Sequence, residues 1–152
     1  MKLEEILTSH RIPFERLHHR PAYTANRVAQ LLHVPGKEMA KTVLLRADDR
    51  YVLAVVPASY QIDMEQFRQR LGAKEVNLAS ETEMDGLFPD CERGAIPPFG
   101  SLYNLQTVVE DALAEDDQIV FEAQDHENAI RMTFRDYEAM EHPARGHFGH
   151  HI

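Results

Sequence analysis

The sequence has 152 residues, 43% of them hydrophobic and 27% charged, with a formal net charge of −9. That length and apolar content suit one domain with its own core, while the charge repels phosphate and argues against a DNA-binding protein. One cysteine excludes an internal disulfide and fits a reducing compartment, no apolar run reaches membrane-spanning length, and Met1-Lys2-Leu3-Glu4-Glu5 lacks the basic start of a signal peptide. A soluble, cytoplasmic single domain over residues 1–152, without repeat or linker, is the expectation.

In chain order, Leu3, Ile6 and Leu7 share one face of a short helix whose first turn holds Glu4 and Glu5. Pro13 separates it from a strand over 14–19. Thr24, after Tyr23, suits the N-cap of a helix carrying Val28, Leu31 and Leu32. A single helical turn after Val34-Pro35-Gly36 leads into a strand from Lys41 to Leu45, a hairpin turn over 47–50 and a second strand over 51–56. The period of two puts Lys41 on the face of Val43 and Leu45. From the residues alone, Lys41 is either a strand-end lysine with its ammonium in water or a member of a site. Asp63 caps a helix of Met64, Phe67 and Leu71 that Gly72 stops, and Lys74 to Leu78 reads as a short strand. Ser80-Glu81-Thr82-Glu83 has the form of a capping box.

The stretch Gly94-Ala95-Ile96-Pro97-Pro98-Phe99-Gly100 concentrates backbone restriction. Its donors, the N–H groups of Gly94, Ala95, Ile96, Phe99 and Gly100, would hold an ester carbonyl or the oxyanion formed from it; the alternative is a rigid corner between strands. Cys91, three residues earlier, has no histidine nearby and reads as a small buried hydrophobe. Strands over 106–109, 118–123 and 130–134 follow, the last two paired, with Ile130, Met132 and Phe134 inward. Glu110, Asp111, Glu115, Asp116 and Asp117 read as a solvated acidic turn, and Asp136 as the cap of a final helix stopping at Pro143. His126 lies in the turn between the last two strands, either exposed or part of a site. His142, His147, His150 and His151 lack a partner at metal-ligand spacing, so neither metal nor cofactor is expected.

The run Gly94 to Gly100, taken with Ala40-Lys41-Thr42-Val43-Leu44 upstream and Ile130-Arg131-Met132 downstream, resembles the YbaK/ProX family over nearly the whole chain. These are free-standing relatives of the editing domain inserted in bacterial prolyl-tRNA synthetases. The resemblance implies an α/β (α+β) fold: a twisted, largely antiparallel mixed sheet with a barrel-like core and surrounding helices. It further implies a hydrolase that deacylates mischarged aminoacyl-tRNA, with tRNA-Pro carrying Cys, Ala or another small residue as the expected substrate and prolyl-tRNA synthetase as a candidate partner. A non-catalytic module that binds tRNA or the synthetase is the alternative. Carried onto this sequence, the resemblance assigns Lys41 and His126 to catalysis, and Tyr23, Thr24, Gly94, Ala95, Ile96, Pro97 and Gly100 to substrate binding. Gln124 stands where relatives commonly have glycine, which would narrow the pocket or alter the turn. Residues 1–50 hold nine Lys/Arg against six Asp/Glu, and the remainder seven against nineteen. A tRNA contact therefore belongs to the N-terminal third.

Overall fold

The computed structural model describes residues 2–152. Helix α1 (Leu3–Ser9) buries Leu3 and Leu7 against the core and leaves Glu4 and Glu5 in its first turn. Strand β1 (Glu15–His18) leads to α2 (Ala25–Leu32), where Thr24 accepts a hydrogen bond from the Arg27 N–H as N-cap. The expected helical turn after Gly36 is a single reverse turn, closed by the Glu38 N–H on the Pro35 carbonyl, because Met39 already bridges to Val120 as a strand residue. β2 (Ala40–Ala47) and β3 (Arg50–Pro57) form the hairpin, longer by several residues than the alternation alone suggested.

After β4 (Tyr60–Ile62), α3 (Met64–Leu71) begins at the Asp63 cap and ends at Gly72 in the left-handed region. β5 (Val76–Leu78) is shorter than expected, since the Asp48 carboxylate takes the Lys74 and Glu75 N–H groups. The capping box of α4 (Glu81–Leu87) is fully formed, each of Ser80 and Glu83 satisfying the other's backbone. β6 (Gln106–Glu110), β7 (Gln118–Glu122) and β8 (Asn128–Thr133) follow. The cap of α5 (Phe134–Glu141) is Thr133 rather than Asp136, because the chain turns directly from β8 into the helix and the Thr133 hydroxyl accepts the Asp136 N–H. The histidine-containing tail, read without structure, makes β9 (Ala144–Gly146) and β10 (Gly149–His151).

The strands form three sheets: a five-stranded one ordered β5-β2-β3-β6-β9, a three-stranded one ordered β1-β8-β7, and the pair β10-β4. Pairing is antiparallel except β3 with β6 and β6 with β9. The fold is thus the expected mixed α/β one, but the sheets do not close into a barrel. The Met39–Val120 bridge and the Val120 N–H on the Glu38 carbonyl tie the two larger sheets together. Between them lies a core of Leu3, Leu7, Val55, Phe99, Ile119, Phe121, Ile130 and Tyr137, with a second core of Phe67 and Phe148 against Val52, Ala54 and Val56. Burying each of these large side chains contributes about 1.5–3 kcal/mol.

One expectation about charge is corrected. Glu110, read as part of a solvated acidic turn, is 0% exposed. Its carboxylate accepts the N–H groups of Ala112, Phe148 and Gly149 and lies 2.8 Å from His147 Nδ1. A buried carboxylate is tolerated because its lone pairs are so fully used.

Candidate active site

The loop of Gly94 to Gly100 is anchored at its far end and clasped at its near end. Pro97, Pro98, Phe99 and Gly100 are buried. The Phe99 ring meets Phe121 and Tyr137 edge-on, and the Tyr137 hydroxyl donates to the Pro98 carbonyl at 2.7 Å. The Gly100 N–H donates to Thr107 Oγ1, which in turn donates to the buried Glu141 carboxylate. At the near end, the Glu92 N–H donates to the Gln124 carbonyl and the Gln124 N–H to the Ala95 carbonyl.

These bonds decide which donors remain. Ala95 N–H goes to the Glu92 carbonyl, Phe99 N–H to the Pro97 carbonyl and Gly100 N–H to Thr107. Among the described residues, the N–H groups of Gly94 and Ile96 have no protein acceptor. Two of the five expected donors are therefore available to a ligand. Gly94 is exposed, with φ +86, a conformation that side-chain-bearing residues rarely adopt.

Gly94 and Ile96 share a cleft of about 270 Å³ with Tyr23, Thr24, Lys41, Thr42 and Glu122. Tyr23 and Thr24 arrive at the entry to α2, and the Tyr23 ring, 73% exposed, lies over His126 with centroids 4.9 Å apart. Lys41 and Thr42 begin β2, beyond the reach of β5, which pairs only with Leu45 to Ala47. The Thr42 hydroxyl is buried without a partner among the described residues. Lys41 Nζ donates to the Tyr60 carbonyl on β4 at 2.9 Å, and burial lowers its pKa from the ordinary lysine value. The strand edge thus holds a half-buried cation at the cleft.

His126 lies one layer behind. It is 6% exposed and does not line the cleft. Its Nε2 is 2.6 Å from the Arg93 carbonyl, so that nitrogen carries a proton and donates, and its Nδ1 is 3.2 Å from Glu122 Oε1. Burial works against the imidazolium, but the Arg93 carbonyl and Glu122 outweigh it and raise the imidazole pKa. Burial pushes the Glu122 carboxyl up to about 7, against the pull of His126. The two side chains titrate as a pair rather than separately.

Of the residues singled out from sequence, Tyr23, Thr24, Lys41, Gly94 and Ile96 meet at one cleft; Ala95, Pro97 and Gly100 are buried supports, and His126 backs the wall. Glu122 went unnoticed. Its signal was a lone acid closing the apolar run Ile119-Val120-Phe121, four residues before His126. Gln124 does not narrow the cleft: it takes φ +73, and its amide accepts the Leu3 N–H and donates to Asp90 and Tyr103 on the other side of the loop. Burial pushes the Cys91 thiol up to about 11, away from the thiolate a nucleophile would need.

Residues 19–140 match the profile of the aminoacyl-tRNA editing domain, a span that holds every site residue named above. The chain belongs to that family. It is similar to the proline–tRNA ligases of Bacillus cytotoxicus, at 25% identity over 57% of this chain and 15% of the ligase, and of a Geobacillus species, at 28% over 65% and 17%. The chain thus spans about a sixth of the length of the curated relatives it matches. Among solved structures, a hypothetical protein superposes with a TM-score of 0.89 at 19% identity, covering 99% of this chain and 100% of its own. A candidate trans-editing enzyme for prolyl-tRNA synthetase does so with a TM-score of 0.84 at 16% identity, covering 98% and 92%. At these identities the superpositions speak for the fold. No helix among the described residues is long and apolar enough to cross a membrane.

Proposed function

We propose that this chain is a trans-editing deacylase, hydrolysing the ester between a wrong amino acid and the 3′ end of a tRNA, with tRNA-Pro carrying alanine, cysteine or another small residue as its substrate. The observation that carries the reading is one cleft holding the half-buried Lys41 together with Gly94 and Ile96, whose N–H groups have no acceptor among the described residues. An aminoacyl ester is already activated, so the site has only to hold the terminal adenosine, polarise the carbonyl and position water. Tyr23 offers an exposed ring for the adenine, and the free N–H groups offer donors to the developing oxyanion. Lys41 supplies positive charge beside them. The family membership and the proline–tRNA ligase relatives support the class of substrate.

The test is a deacylation screen over mischarged tRNAs with the wild type and Lys41→Ala. The wild type is expected to release alanine or cysteine from tRNA-Pro and to spare prolyl-tRNA. The variant is expected to lose at least ~100-fold in rate, the scale of one oriented electrostatic group, with its circular dichroism unchanged. Binding of tRNA without release of any amino acid would favour a non-catalytic binding module instead.

A further inference from the structure

In the deacylation proposed above, a group that takes a proton from the positioned water would speed its attack, and Lys41 does not suit that role, being tied by its ammonium to the Tyr60 carbonyl. Glu122 is the other ionisable group lining the cleft with its side chain turned away from bulk water: it is 8% exposed and stands at the end of β7. Its Oε1 is held by His126 Nδ1, while Oε2 has no protein partner among the described residues. His126 is itself fixed by the Arg93 carbonyl, one residue before Gly94, so a single imidazole sets both the carboxylate and the loop that carries the free N–H groups. We infer that Glu122 is the general base of this site, its Oε2 accepting a proton from the water that attacks the ester carbonyl, with His126 as its positioning residue.

The step balances without any further reagent. Water oxygen bonds to the carbonyl carbon as one of its protons passes to Glu122; the carbon–oxygen bond to the ribose then breaks, and Glu122 returns the proton to the leaving ribose oxygen. Amino acid and free tRNA are the products, and the carboxylate is regenerated. The titration of Glu122 is set first by burial, which raises it, then by His126 from the following turn, which lowers it, and by Asp125 and Glu92, which raise it; Lys41 lines the same cleft. A base must be ionised, so the rate is expected to rise with pH through neutrality and then level.

This inference rests on the deacylase reading, and the experiment separates the two. Single-turnover deacylation of alanyl- and cysteinyl-tRNA-Pro is measured from pH 5.5 to 8.5 for the wild type, Glu122→Gln and Glu122→Ala. Binding of a non-hydrolysable 3′-amide analogue of alanyl-adenosine is measured alongside. Glu122→Gln keeps a hydrogen bond to His126, and it is expected to lose at least ~100-fold in rate, the range of general base catalysis, and to lose the rising limb near neutrality, while binding the amide analogue within about threefold of wild type. Formate is expected to restore part of the rate to Glu122→Ala. An active wild type with Glu122→Gln within threefold of its rate overturns the role of Glu122 alone, as does a variant whose loss lies wholly in binding. Should Glu122→Gln not fold, Glu122→Asp decides by the same comparison of rate and pH profile. An inactive wild type overturns the deacylase reading and this step with it.

Discussion

Gly94 and Gly100 bracket one loop, yet substitution is expected to harm them in different ways. At Gly94 an added Cβ finds room, its nearest neighbour being His126 Cε1 at 3.6 Å, but φ +86 strains any β-branched residue by about 1–3 kcal/mol. The cheapest relief is a shift of the peptide that presents the free N–H, so Gly94→Val should cost turnover with a modest loss of melting temperature. At Gly100 the backbone is ordinary, but a Cβ would fall 2.6 Å from Thr107 Oγ1 and 2.8 Å from the Leu105 carbonyl, in the middle of the buried Glu141 network. Gly100→Val should therefore lower the melting temperature sharply, with activity falling only as the fold is lost. Thermal melts and turnover measured on both variants check this; equal melting temperatures would remove the distinction. A glycine's sequence position does not reveal which of the two it is. Both read as ligand-facing in GAIPPFG, and the Thr107 hydroxyl that claims the Gly100 N–H comes from the following strand.

At the scale of elements, β9 and β10 depend on a residue that belongs to neither. Glu110 ends β6 and gathers the Phe148 and Gly149 N–H groups beneath the tail, while His150 reaches Asp63 and the Ile152 N–H reaches the Ser59 carbonyl. Glu110→Ala would leave these two buried donors unpaired at about 1–3 kcal/mol each. We expect it to cost more than about 2 kcal/mol and to speed hydrogen exchange at Phe148 and Gly149. Glu115→Ala, in the same acidic run but exposed, should change stability by less than about 0.5 kcal/mol. Helix starts were legible where the cap is purely local, as at Thr24, Asp63 and the Ser80–Glu83 box. Asp136 misled because Thr133, three residues before it, is an equally good cap and the strand ends there. The tail was illegible because three-residue strands of Ala, Arg, Gly and His have no periodicity, and their partners lie far away in sequence. In the site, Lys41 and the loop were singled out by the family resemblance, since the residues alone leave a strand-end lysine and a rigid corner open, whereas Glu122 gains its meaning only from His126 and the cleft, which the fold assembles.

For the whole molecule, the question is how a chain of net charge −9 meets a polyanion. The exposed Arg20 and Arg27 flank Tyr23 and Thr24 at the cleft, whereas Arg131 is engaged by Glu15 on the neighbouring strand. On the proposed reading, contact is confined to the acceptor end and displaces few counterions. The slope of log K against log salt should then have a magnitude of roughly 1–3, and charge reversal at Arg20 or Arg27 should weaken tRNA binding more than reversal at Arg131 or Arg135. A slope near 6, or greater sensitivity at the C-terminal arginines, would place the tRNA on another face.

The pairing of β1 with β8 joins Glu15 to Arg131 and His18 to Asn128, while the hairpin that presents Lys41 joins residues that are neighbours in sequence. The two halves of the cleft are each built on such a local hairpin, β2 with β3 for Lys41 and β7 with β8 for Glu122 and His126. Each hairpin closes a short loop and forms on the microsecond scale of such units. What brings the two hairpins together is the Met39–Val120 bridge, a contact between residues far apart in sequence, the kind of pairing that slows folding. The cleft is thus tied to a non-local contact, and a chain arrested before that contact forms would hold the lysine apart from the carboxylate and imidazole, each on its own finished hairpin.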